Sequence, residues 1–152
     1  MRVIELLDKV LPYEFVFYNY AIFSTDKEAY VVYFNHSTDL VAEICDNFNV
    51  RPDPDVVEIS FGLQNANTHN LSYGIANVGN AASVFSTVVA IIIEFLKKER
   101  DVKFICYSAK EQSRVKLYAT MTTSIIRKFP MLKLIKQFRD NHGDYAFVLQ
   151  RK

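Results

Sequence analysis

Asn77-Val78-Gly79-Asn80-Ala81 places a glycine between a short strand-like run and a long apolar helix. Glycine there lets the backbone turn tightly and leaves the first helical amides unpaired. With the helix dipole, those amides form an anion site that needs no side chain. The plain alternative is a turn glycine followed by an Asn80 N-cap. A second set lies on a later helix, where Arg114, Tyr118, Met121 and Ile125 share one face through steps of four, three and four. A phenol on that face can donate a proton at a cleft. It can equally be a core residue whose hydroxyl reaches the surface. Glu58 points away from Val57 and Ile59 and is the nominated general base; the alternative is a solvated strand carboxylate. His36, His69 and His142 are scattered without ligand spacing, so no metal site is expected. Cys106 sits in an apolar strand with no neighbouring His, and a structural role is expected for it.

The elements that must position these groups follow from periodicity and breakers. Residues 2–11 fit a short helix stopped by Pro12. Tyr13 to Phe23 reads as one long strand, 24–27 as a turn and 28–35 as a second strand. Thr38 or Asp39 can cap a helix reaching about Phe48. Arg51-Pro52-Asp53-Pro54 is a rigid connection. Strands are expected over 55–63, 71–76, 102–107 and 145–150, with a polar loop over 64–70 and turns at 77–80 and 141–144. Ala81 to Lys98 has the length and apolar stripe of a buried helix. Ser108-Ala109-Lys110-Glu111 has capping-box spacing for a helix ending before Pro130. Residues 131–139 fit a short helix. The helix between 71–76 and 102–107 is a crossover candidate, so those strands are expected to run parallel.

At 152 residues, half of them apolar, the chain suits one domain with a substantial core. The expected organisation is a single domain over 1–152, with a helix, hairpin and short helix in 1–50 and an α/β core in 55–150. No apolar run reaches the roughly 18 residues of a membrane span, and no export signal is visible, so the cytoplasm is expected. Two cysteines outside any CxxC are expected to be free thiols. The net charge of +1 conceals a division. Residues 1–96 carry 4 Lys/Arg and 12 Asp/Glu, whereas 97–152 carry 14 and 5. Such asymmetry can attract a phosphorylated ligand or an acidic surface, or can simply be two solvated halves. A nucleic-acid role is disfavoured, because most aromatics lie in the acidic half rather than beside the basic residues.

The order strand, glycine turn, helix, strand, helix, with Gly79-x-Ala81 and the run from Ala109 to Tyr118, resembles the GNAT acyltransferase superfamily over about residues 55–150. The resemblance implies a mixed α/β fold: a mostly antiparallel central sheet with one parallel strand pair and flanking helices. It implies acetyl-coenzyme A as cofactor, its pyrophosphate on Val78, Gly79, Asn80, Ala81 and Ala82, with Arg114 as a further contact. The pantetheine would lie beside 71–76, and Tyr118 would protonate the leaving thiolate. The acceptor would be an amine on a small molecule or a protein. Ala76 stands where the family usually has Gln or Arg, and Lys128-Phe129-Pro130 replaces its usual glycine-phenylalanine. Residues 77–118 also resemble small proteins encoded by tailed bacteriophages. The alternative reading is therefore a non-catalytic interaction protein on the same fold, binding a host or viral protein or a second copy of itself.

Overall fold

The computed structural model describes residues 10–64, 81–110 and 112–152. Seven strands form one sheet in the order β1-β2-β3-β4-β5-β7-β6. They are β1 (Tyr13–Phe17), β2 (Tyr20–Ser24), β3 (Ala29–Asn35), β4 (Val56–Leu63), β5 (Phe104–Ala109), β6 (Leu132–Arg139) and β7 (Tyr145–Arg151). The helices are α1 (Asp39–Phe48), α2 (Ala81–Lys98) and α3 (Gln112–Lys128), with a four-residue helical turn at Pro52–Asp55. The pairs β1–β2, β2–β3, β5–β7 and β6–β7 are antiparallel, and β4–β5 is parallel. This is the mixed, mostly antiparallel sheet with one parallel pair that the sequence implies. The chain divides into two compact units, Met1–Tyr33 with Ser60–Phe95, and Phe34–Ile59 with Leu96–Lys152.

In the first unit, the expected long strand over 13–23 is two strands folded back at Tyr18 and Asn19, pairing Tyr13 with Phe23. Tyr30 stacks on Phe23 at 5.2 Å, and Phe61 meets Phe85 edge-on at 6.0 Å. β1 is tied to α2 by the Tyr13 hydroxyl, which donates to Glu94 Oε1 at 2.6 Å. Burial, then the bond to Glu94, pushes the Tyr13 phenol up to about 12. Phe17, Tyr20 and Tyr33 form a ladder of rings at 5.8 and 5.4 Å, with Phe17 and Tyr33 exposed.

In the second unit, α1 begins as expected at Thr38, whose Oγ1 accepts the Val41 N–H at 3.2 Å. It ends at Asn49, which takes the left-handed conformation at φ 55°. Its Leu40, Val41, Ile44 and Cys45 pack against Val56, Phe104, Cys106, Ala146 and Val148. Those strand residues lie opposite one another in the register and so share one face. The other face carries Tyr107 and Phe147, which stack at 5.5 Å, with Tyr118 of α3 edge-on to Tyr107 at 5.8 Å. Thr122 donates to the Tyr118 carbonyl, so its oxygen is left to accept the proton of the buried Tyr107 hydroxyl in a short hydrogen bond.

Two further expectations need correction, over 131–139 and 108–111. Residues 132–139 are β6, paired along β7, not a helix. A bulge between Leu134 and Lys136 resets the alternation, so that Ile135 and Phe138 both pack against the α1 core. Their three-residue spacing looks helical for that reason. The parallel partner of β5 is β4, and the two sheet neighbours of β5 are β4 and β7. Residues 71–76, expected in that role, lie outside the described residues, as do all but the last two residues of the expected helix over 2–11 and all but the first of the expected loop over 64–70. Ser108 does not cap a helix; it and Ala109 belong to β5, and α3 starts at Gln112. No helix among the described residues is long and apolar enough to cross a membrane.

Candidate active site

The β4–β5 ladder is short. It joins Val56 to Phe104, Val57 to Ile105 and Glu58 to Cys106, and stops there. Among the described residues, Tyr107 to Ala109 of β5 are paired on the β7 side alone. Their backbone N–H and C=O groups on the other side are therefore outside any described ladder, and an extended amide-bearing chain could meet them.

Glu58 stands at the end of this ladder. It lies on the α1 face, level with Cys106, and hydrogen-bonds the Thr38 side chain. Burial raises its pKa above the ordinary carboxylate value; the Thr38 bond opposes the shift, and the charges of Asp140, Asp144 and Asp39 add to it. Thr38 thus serves two groups, accepting from the Val41 amide and bonding Glu58. Thr38→Ala is expected to cost about 1 kcal/mol through the lost cap and to raise the Glu58 pKa further. Urea unfolding and carboxyl titration by NMR read the two effects separately.

Beside Glu58, the β6–β7 turn docks on α1. Asp140 Oδ1 accepts the His142 and Asp144 amides at 2.9 Å, and Gly143 supplies the φ of +84° that closes the turn. The Asn141 amide donates to Glu43 Oε1 at 3.0 Å, and His142 Nε2 meets Asp39 Oδ2 at 3.0 Å. The bond to Asp39 raises the His142 pKa. A cavity of about 540 Å³ opens here, lined by Asp39, Glu43, Asp46, Asn47, Asn141 and His142. Three carboxylates give it an electronegative wall suited to a cationic group.

Tyr118 lies on the opposite face of the sheet from Glu58, 3% exposed among Tyr107 and Phe147. Arg114, one turn earlier, is also buried. The fold therefore brings Tyr118 and Arg114 together on α3 and holds Glu58 across the sheet from them. Val78, Gly79 and Asn80 lie outside the described residues. Ala81 opens α2, and Ala82 is half-buried in its first turn. Cys106 is fully buried, donates to the Val57 carbonyl at 3.5 Å, and has its thiol pKa pushed well up, first by burial. A thiol so placed is a poor nucleophile. Cys45 is likewise buried and free.

Sequence reasoning missed the acidic cavity, because its walls come from α1 and a turn about a hundred residues later. The one signal available was the spacing of Asp39, Glu43 and Asp46, which places three carboxylates along one side of a helix.

Among solved structures, the chain is similar to AAC(6')-Ib in complex with paromomycin and acetyl-CoA, at 17% identity and a TM-score of 0.47. The match covers 88% of this chain and 64% of that one. No curated protein sequence matches at a significant level. A family model described as a family of unknown function, DUF6934, matches residues 16–152. That span takes in every described strand but the first residues of β1, and the chain belongs to this family.

Proposed function

We propose that the protein is a GNAT-like N-acyltransferase that moves an acetyl group from acetyl-coenzyme A to an amine. The observation that carries this reading is the early end of the parallel ladder. The ladder ends at Glu58 and Cys106, and among the described residues β5 continues with no ladder on that side. An extended pantetheine arm carries amides that suit such an edge. Val78 to Ala82, which run into the first turn of α2, would supply the backbone amides for its pyrophosphate, with Arg114 as a further contact.

The acceptor would enter on the α1 face. The wall formed by Asp39, Glu43 and Asp46 favours a positively charged amine. Glu58 would take one proton from the ammonium, freeing the nitrogen lone pair to bond the acyl carbon, and the second proton that the nitrogen sheds would pass to solvent. The carbon–sulfur bond breaks, and Tyr118 would return a proton to the departing thiolate. The raised pKa of Glu58 brings the carboxylate closer to the basicity that proton removal requires.

Titrating acetyl-coenzyme A to millimolar concentration is expected to raise the melting temperature in proportion to the logarithm of ligand concentration, because the ligand binds the native state. An unchanged melting temperature would remove the acyltransferase reading. One observation favours a second, non-catalytic reading: Val16, Phe17, Tyr18 and Tyr33 expose apolar surface in the first unit. That reading predicts self-association or a stable protein partner and no response to the coenzyme; light scattering on the purified protein reads the self-association directly.

A further inference from the structure

A second cavity, of about 550 Å³, has no part in the acyl-transfer reading. It is built where the Pro52–Asp55 turn, the α2–β5 connection and the end of β7 meet. Five cations line it: Arg51, Arg100, Lys103, Arg151 and Lys152. Two carboxylates accompany them, Asp55 and Asp101. Asp55 is buried and committed: it accepts the Arg51 amide at 3.0 Å and lies 3.9 Å from Lys103 Nζ. What remains is Arg51, Arg100, Arg151 and Lys152 against Asp101 alone.

Arg151 is the fixed centre of this group. Its Nε donates to the Val102 carbonyl at 2.9 Å, and its Nη2 donates to Leu96 and Glu99 carbonyls at 3.2 and 3.0 Å. The Nη2 bonds cover the Leu96 and Glu99 carbonyls at the C-terminal end of α2, whose partial negative charge would otherwise repel an anion. They leave Nη1 outside the set. Arg51 and Arg100 are exposed, and neither has an ion-pair partner among the described residues. The Arg151 pKa is lowered, first by burial and then by the charge of Arg100, so the two guanidinium groups crowd each other. A fixed guanidinium with exposed cations around it is an arrangement that phosphate oxygens satisfy through charge-assisted bonds.

We propose that this cleft binds a small molecule bearing a diphosphate, at a site separate from the acetyl-coenzyme A site. The cavity is larger than one phosphate needs and of the size that holds a small ligand. Its lining contains no aromatic side chain, so it offers no stacking platform for a nucleic-acid strand. It lies at the C-terminal end of α2, whereas the pyrophosphate in the acyl-transfer reading would meet the N-terminal end of that helix.

Calorimetric titration of the full chain with inorganic pyrophosphate at low ionic strength, first without and then in saturating acetyl-coenzyme A, tests this directly. Saturable one-to-one binding is expected, and the double variant Arg51→Gln/Arg100→Gln should weaken it by roughly tenfold or more. Both side chains are exposed, so the variant should keep the parent melting temperature. Absence of saturable binding, or equal affinity in the double variant, overturns the proposal. So does loss of the pyrophosphate signal on adding the coenzyme, which would place the anion at the other end of α2. Tighter binding of an oligothymidylate than of pyrophosphate, sensitive to the same substitutions, would also overturn it in favour of a nucleic-acid surface. Either outcome leaves the coenzyme melting experiment untouched, so the two proposals fail separately.

Discussion

Truncating Phe147 to alanine is expected to destabilise the protein by about 3–5 kcal/mol. The ring is 1% exposed and sits on the centre of β7, stacked on Tyr107 at 5.5 Å and tilted against Tyr118 at 6.5 Å. Its removal deletes apolar contact on both neighbours and leaves a cavity between strand and helix that α3 can only partly close. The Tyr107–Thr122 hydrogen bond lies in the same layer, so any collapse of α3 towards the gap also strains a buried polar contact. Urea unfolding gives the measurement. Leu134→Ala, at a 36% exposed position on the edge strand β6, is the control and should cost below about 1 kcal/mol. A Phe147 variant as mild as that control would show that α3 is not held through this aromatic layer.

Glu58→Gln is expected to lower acetyl transfer by about 10²-fold or more while leaving coenzyme binding unchanged. Glutamine keeps the shape and can still hydrogen-bond Thr38, but it cannot accept the proton of an incoming amine. The pH dependence supplies the sharper readout. A general base acts in its ionised form, so the rate should climb as pH rises through the Glu58 pKa. Because that pKa is raised, the ascending limb should lie above the ordinary carboxylate range, and the variant should lack it.

The same shift makes a stability statement with a definite sign. A carboxyl whose pKa is higher folded than unfolded holds its proton more tightly in the native state. Between the unfolded and the folded value, native protein binds more protons than unfolded chain, so stability falls as pH rises through that window. Glu58→Gln should flatten this slope and should not destabilise the protein at neutral pH. A variant that loses activity and stability together would identify Glu58 as a structural group instead of a base.

β6, the longest of the edge elements, carries Lys133, Lys136 and Arg139 along its sequence. Cations on an open edge hinder pairing with another sheet. Arg139 is further fixed by bonds to the Gly143 carbonyl and the Tyr145 hydroxyl, both at 2.8 Å, and by stacking 4.1 Å over the Tyr145 ring. The opposite edge, β1, carries only Glu14 as a charge and exposes Val16 and Phe17. Any self-association is therefore expected at the β1 side, where the second functional reading also places its apolar surface.

Local chemistry was enough to fix α1 with its Thr38 cap, the apolar helix Ala81–Lys98, the inward Val57, Ile59 and Phe61 of β4, and the Gly143 turn. Each depends on neighbours within a turn or two, through capping, periodicity or a glycine conformation, and those interactions are written in adjacent residues. The folding of 13–24 into two strands, the strand identity of 132–139 and the β4–β5 pairing were decided by partners far along the chain. A bulge or a ladder is a property of two segments together, and neither segment contains it alone. The site shows the same division. Glu58 could be nominated from alternation, but its raised pKa comes from burial and from Asp39, Asp140 and Asp144. Tyr118 could be nominated from its helix face, but only the packed sheet sets it on the face away from Glu58. Charges and rings act through space, and the chain brings them within range only when its two halves of opposite charge have folded.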